Sequence, residues 1–171
     1  NTSLSGRKIF AYIGNMGIAQ GMDIFIDLAA SLKNNKEFGF LFVGRGSEFT
    51  RLKDRTKAHS LSNILFFNEV DPQEIPGILE QCHIGLLALD TRHKTHNIPG
   101  KFLSYLYAGI PVFASINKGN DLEKIIDKYE LGKYSSDNNH NDVAAKMLEL
   151  AAISYDREEN KLKSMILLEK R

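Results

Sequence analysis

At 171 residues, with 43% apolar and 25% charged side chains, the chain is long enough for one domain with a full core and too ordinary in composition for a disordered or disulfide-built protein. Its 22 basic and 21 acidic residues leave a net charge of +1 with no basic block, which excludes a broad nucleic-acid face. A lone cysteine, Cys82, excludes an internal disulfide and points to a reducing compartment, and no apolar run approaches the roughly 20 residues that cross a bilayer.

The chain opens on Asn-Thr-Ser-Leu-Ser-Gly, which has no signal-peptide pattern and reads as linker, so the chain is expected to be a piece of a longer protein. A strand is predicted at 9–13, followed by a glycine-bearing turn, Gly14-Asn15-Met16-Gly17, and a helix at 21–33. A second strand at 40–43 runs into Gly44-Arg45-Gly46-Ser47 and a helix at 47–59. The third strand, 64–67, leads to a helix at 71–81 with Asp71 as N-cap; Pro76 inside it starts the helix late or kinks it. Cys82 then precedes an apolar strand at 84–89 and reads as a packed thiol.

The stretch that follows is the most informative. After the polar loop 90–97 comes Ile98-Pro99-Gly100-Lys101, a helix at 100–108 and a buried strand at 112–116. Pro99 suits a first helical turn because it lacks an N–H, and Gly100 lets the backbone come close to a ligand. The amides of Gly100, Lys101 and Phe102 are then expected to be free for an anion. Phe102, Leu103, Leu106 and Tyr107 fall at helical spacing, and Gly109 sits where a left-handed cap would end the helix. Helices at 122–128, 141–153 and 157–169 and a strand at 132–135 complete the chain, with Asp121 and either Asn141 or Asp142 as caps.

Strict alternation of strand and helix predicts an α/β fold: one Rossmann-like, doubly wound, parallel six-stranded sheet over residues 1–171, closed by a basic C-terminal helix at 156–171 that packs one face on the domain. In such sheets ligands collect beyond the C-terminal strand ends, where the three glycine-bearing segments fall. A dehydrogenase is disfavoured. Glycines at 14, 17 and 21 lack the dinucleotide spacing, no acidic residue follows the second strand, and Gly132 breaks any helix joining Tyr129 to Lys133. Arg92, His93, Lys94 and His96 concentrate charge before the anion site. His93 and His96 with Asp90 do not make a convincing metal set, and no metal is expected. His59 and His83 read as structural, and His140 sits in a polar loop.

The ordered pieces Tyr12-Ile-Gly-Asn, Gln20-Gly-Met-Asp-Ile, Phe42-Val-Gly-Arg-Gly-Ser, Ile64-Leu-Phe-Phe and the block 98–122 carry a resemblance over about residues 9–152. The chain resembles the C-terminal, donor-binding domain of GT-B retaining glycosyltransferases of family 4, with the block most similar to bacterial surface-polysaccharide transferases, including N-acetyl-L-fucosaminyl transferases. The resemblance implies transfer of a sugar from a nucleotide diphosphate sugar, UDP being the expected nucleotide, to a glycan or lipid-linked acceptor held by a separate N-terminal domain, with no cofactor. It implies that the chain is inactive alone and that the whole protein is cytoplasmic, with room for peripheral contact at the inner face of the membrane. In family terms Gly100 to Phe102, with Pro99 and Lys101, would hold the diphosphate, approached by the Gly14 turn. Asn68 to Val70 would frame the base, and His96, the sole catalytic candidate, would face the donor sugar. Family members often carry arginine and lysine where Asn15 and Gln20 stand, and two glutamates where His96 and Ser104 stand. Positive charge must then come from Lys101 and from Arg45, Arg92 or Lys94. Two other readings stay open on the residues: a nucleotide-sugar epimerase of the same fold, and a non-catalytic nucleotide-binding or scaffold domain.

Overall fold

The computed structural model describes residues 2–90, 98–137 and 139–169. Six strands, β1 (Lys8–Ile13), β2 (Phe38–Val43), β3 (Ile64–Phe67), β4 (Ile84–Ala88), β5 (Val112–Ser115) and β6 (Gly132–Ser135), form one all-parallel sheet in the order β3-β2-β1-β4-β5-β6. The order reverses between β1 and β4, so the switch point of this doubly wound sheet opens there.

Helices cover both faces because alternate strand residues are apolar on each side. One face buries Phe10, Tyr12, Phe40 and Phe42 under α1 (Asp23–Ser31), α2 (Phe49–Ala58) and α6 (His140–Ala152). The other buries Ala11, Ile13, Val43 and Leu87 under α3 (Ile75–Leu79), α4 (Gly100–Tyr107), α5 (Asp121–Tyr129) and α7 (Arg157–Glu169). The last helix packs as expected, with Asn160, Ser164 and Leu167 buried. The Arg157 guanidinium reaches the carbonyls of Leu79, Cys82 and Ala108, and Asn160 donates to the Gly109 carbonyl, so α7 caps the ends of α3 and α4.

The predicted elements are all present, with corrections at their ends. The first helix is preceded by a separate 3-10 turn, Ile18–Gln20, closed by left-handed Gly21. Pro76 does not kink a longer helix: a capped 3-10 turn, Pro72–Glu74, leads into the short α3, with Pro76 in its first turn, where a missing N–H costs nothing. Asn120 rather than Asp121 caps α5, accepting from Leu122 N. Asn139 rather than Asn141 or Asp142 caps α6. Pro99 is the N-cap of α4, outside its first turn. Tyr107 faces solvent at 65% exposure, and Tyr105 is the tyrosine that α4 buries. Gly109 is left-handed, as predicted, with φ of 69°.

Candidate functional site

The turns after β1 and β2 are built as one unit. Gly14 N donates to Val43 O at 2.9 Å, Met16 N to Arg45 O at 2.7 Å and Glu48 N to Met16 O at 2.9 Å. Gly44 has φ of +150°, and a Cβ there would overlap the Gly14 carbonyl, so only glycine lets the turns close. Asn15 and Gln20 bond to each other at 3.3 Å, and Gln20 Oε1 also accepts from Gly17 N at 2.8 Å. Arg45 is exposed and paired with Glu69 at 3.0 Å.

Across the switch point lies the start of α4. Of the three amides expected to be free, that of Phe102 is not: it donates to the Pro99 carbonyl at 2.9 Å, an i to i−3 bond that tightens the first turn. Among the described residues no carbonyl accepts from the amides of Gly100 and Lys101, and a Cβ on Gly100 would meet none of their atoms within 4 Å. The Phe102 side chain is in the core, and Ser104, exposed, bonds back to the Gly100 carbonyl at 3.5 Å.

Lys101 is the central group. Its aliphatic chain lies over Gly14, with Cε 3.5 Å from where a Cβ would stand. Its ammonium lies 3.8 Å from the centroid of the Tyr12 ring and donates to the Tyr12 hydroxyl, which in turn donates to the Asn15 carbonyl at 2.6 Å. Since α4 lies on one face and Tyr12 in the core of the other, Lys101 spans the crevice. Burial pushes its pKa down to about 8 from the ordinary 10.5, and among the described residues no carboxylate pairs with it. Burial also holds the Tyr12 hydroxyl far above its usual range, so it stays a neutral donor and acceptor.

Two adjoining cavities flank this group and share Ile13, Gly14 and Ile75. One, about 230 Å³, adds Leu79, Lys101, Ser104 and Tyr105. The other, about 260 Å³, adds Asn15, Val43, Gly44, Arg45, Glu69 and Val70. Of the predicted donor-site residues, the structure thus brings Gly14, Asn15, Gly44, Arg45, Val70, Lys101 and Ser104 to one place. Gln20 braces the first turn instead of lining a cavity, Asn68 is exposed and lines neither, and Arg92, His93, Lys94 and His96 lie outside the described residues. A larger cavity, about 710 Å³, runs under the face of β1 to β3 that the five-residue α3 leaves partly bare, with Ile9, Leu41, Leu65 and Phe67 as its floor. It lacks the helix start, and the cations on its lining, Arg7 and Lys8, donate to the backbone carbonyls of Asn35, Phe38 and Ala151, so the ligand chemistry belongs to the smaller pair.

Sequence reading missed Tyr12 and Tyr105; their signal was a tyrosine at a core-facing position, where the hydroxyl demands a partner. His83 is structural, as expected, accepting from Ile9 N at 3.0 Å. Among the described residues there is no group of three metal-ligating side chains, and no helix is long and apolar enough to cross a membrane.

Comparison with known proteins bears on this site. The family model described as "Glycosyl transferases group 1" matches residues 1–164. A Pseudomonas aeruginosa protein named probable glycosyltransferase WbjE is 28% identical over 131 residues, which is 74% of this chain and 32% of the relative, so the chain spans about a third of that protein. S. aureus TarM, solved with fondaparinux, α-GlcNAc-glycerol and UDP, superposes with a TM-score of 0.73 at 17% identity, over 96% of this chain and 32% of its own. Anabaena HepE, solved with UDP and glucose, superposes with a TM-score of 0.72 at 14% identity, over 94% and 42%. At such identities the superpositions speak for the fold.

Proposed function

Because the chain belongs to the glycosyl transferases group 1 family, we propose that it is the donor-binding, C-terminal half of a two-domain GT-B glycosyltransferase that takes a UDP-linked sugar for retaining transfer in bacterial surface-polysaccharide synthesis. One observation carries this reading: a half-buried ammonium, Lys101, poised at the switch point beside the two helix-start amides of Gly100 and Lys101, with no carboxylate for the one and no carbonyl acceptor for the others among the described residues. An unpaired cation there is costly, and a diphosphate would offset that cost. UDP in the structures of TarM and HepE supports the choice of nucleotide.

In this reading the diphosphate rests against the Gly100 and Lys101 amides and the Lys101 ammonium, while the base lies toward Gly44, Glu69 and Val70. As the bond to the anomeric carbon breaks, charge grows on the leaving phosphate, where fixed dipoles and a cation lower the barrier most. That phosphate can take the acceptor's proton, so no nucleophile of this chain enters the reaction. No metal is used, since the charge falls to Lys101 and the helix start. The glycan or lipid-linked acceptor binds a separate N-terminal domain, so the chain alone binds donor without transferring it. The whole enzyme works in the cytoplasm, in peripheral contact with the membrane.

The test is thermal melting of the chain with UDP, GDP or NADPH. Saturation at about 100 times Kd would add about 2.7 kcal/mol, or roughly 5 to 10 °C in Tm for a chain of this size. A response to UDP alone supports the reading. Equal responses to all three, or none, overturn it.

A further inference from the structure

The β1 to β4 ladder stops short. β1 pairs with β2 at six positions but with β4 only at Phe10↔Ile84 and Ala11↔Gly85. Continued in that parallel register, the next bond would run from Ile13 N–H to the Leu86 carbonyl. The Tyr105 hydroxyl stands in its place, accepting from Ile13 N at 3.2 Å and donating to Leu86 O at 3.0 Å. Its ring is fully buried and lies flat on Gly85, where a Cβ would run into the ring carbons; the missing side chain is what admits it. Burial keeps the phenol neutral, so it can serve both neighbours at once.

Tyr105 lies one helical turn beyond Lys101, and residues four apart share a helix face. A pin at Tyr105 therefore fixes how deep and at what rotation the start of α4 enters the crevice. Ile13, whose amide is held by the pin, is followed directly by Gly14, over which Lys101 lies. The cavity lined by Ile13, Gly14, Lys101, Ser104 and Tyr105 is the space so opened.

We propose that Tyr105 is a positioning residue of the donor site: its hydroxyl, inserted between Ile13 N–H and Leu86 C=O, holds β1 and β4 apart at the switch point and sets the start of α4 against the first turn. This rests on the donor-site reading above. It touches no substrate and acts through Lys101 and the Gly100 and Lys101 amides.

Tyr105→Phe keeps the ring and deletes the pin. The experiment measures UDP Kd by calorimetry, well below Tm, for the parent chain, Tyr105→Phe and Asn160→Ala. The last removes a buried bond between α7 and Gly109, away from the site, and controls for loss of stability alone. Tyr105→Phe is expected to weaken UDP roughly tenfold, equivalent to one misplaced charge-assisted contact, while Asn160→Ala keeps the parent Kd. In the parent, NMR is expected to show no through-hydrogen-bond coupling between Ile13 N and the Leu86 carbonyl. A Kd for Tyr105→Phe within twofold of the parent, an equal loss in Asn160→Ala, or a direct Ile13 to Leu86 coupling in the parent would overturn the proposal. Failure of the parent to bind UDP would instead overturn the donor reading beneath it.

Discussion

Replacing Lys101 by methionine should make the protein more stable and a poorer ligand binder. Burial lowers the lysine pKa from 10.5 to about 8, a drop of about 2.5. At 1.36 kcal/mol per pKa unit, that is about 3 kcal/mol of folding free energy lost wherever the folded state must keep the proton. The sign follows from proton counts. Between pH 8 and 10.5 the unfolded chain holds a proton that the folded chain has released, so stability rises with pH across that window, and the full penalty applies below it. Methionine keeps the length and removes the charge, and the Tyr12 hydroxyl still has the Asn15 carbonyl at 2.6 Å. Allowing for the lost contacts with Tyr12, the net gain near pH 6.5 is about 1 to 2 kcal/mol, roughly 2 to 8 °C in Tm. UDP affinity should fall by about 1 to 2 kcal/mol with the charge-assisted contact. Melting curves of parent and variant, with and without UDP at pH 6.5 and 9.5, test both halves, and the stability difference should narrow at the higher pH. A variant that melts below the parent at pH 6.5, or that keeps the parent's response to UDP, would refute the reasoning.

Two glycines should behave oppositely. Gly44→Ala drives a methyl into the Gly14 carbonyl at a φ that disfavours side chains, and should lower Tm by roughly 10 °C or more or prevent folding. Gly100→Ala meets nothing within 4 Å and should leave Tm within about 3 °C, so any loss of UDP affinity measured by calorimetry reports how near the ligand comes to α4. The Cys82 thiol, pushed up to about 12 by burial and donating to Ile78 O at 3.2 Å, should react with a disulfide reagent at pH 8 about 10³-fold more slowly than a free thiol. Denaturant should restore the rate, and a fast native reaction would show that the thiol is not enclosed.

The strands were legible because a parallel sheet covered on both faces needs unbroken apolar runs, and Ile84 to Ala88 and Val112 to Ser115 are buried at every position. The glycine turns were legible as locations, since Gly14 and Gly44 stand directly after β1 and β2. What they do to each other was not, because the near overlap of Gly44 with the Gly14 carbonyl joins positions thirty residues apart. Periodicity also could not choose between Tyr105 and Tyr107: one lies three beyond Phe102, the other four beyond Leu103, and only packing on Gly85 decides for Tyr105. The amide of Phe102 was lost to the anion site through the orientation of the Pro99 carbonyl, a backbone detail that residue identity does not encode.

The neutral first turn and the lysine of α4 are best understood together. Where the resemblance leads one to expect cations, Asn15 and Gln20 satisfy each other and the Gly17 amide, leaving the turn rigid but with no charge to offer. Lys101 arrives from the opposite wall, on a helix rather than a loop, and its ammonium comes to rest beside the Gly14 turn. A cation carried by a helix is only as well placed as the helix, and this one is short and ends at a left-handed glycine. Moving the charge from turn to helix therefore moves the demand for precision from Gly14 to the seating of α4, which is where Tyr105 and the bare backbone of Gly85 meet.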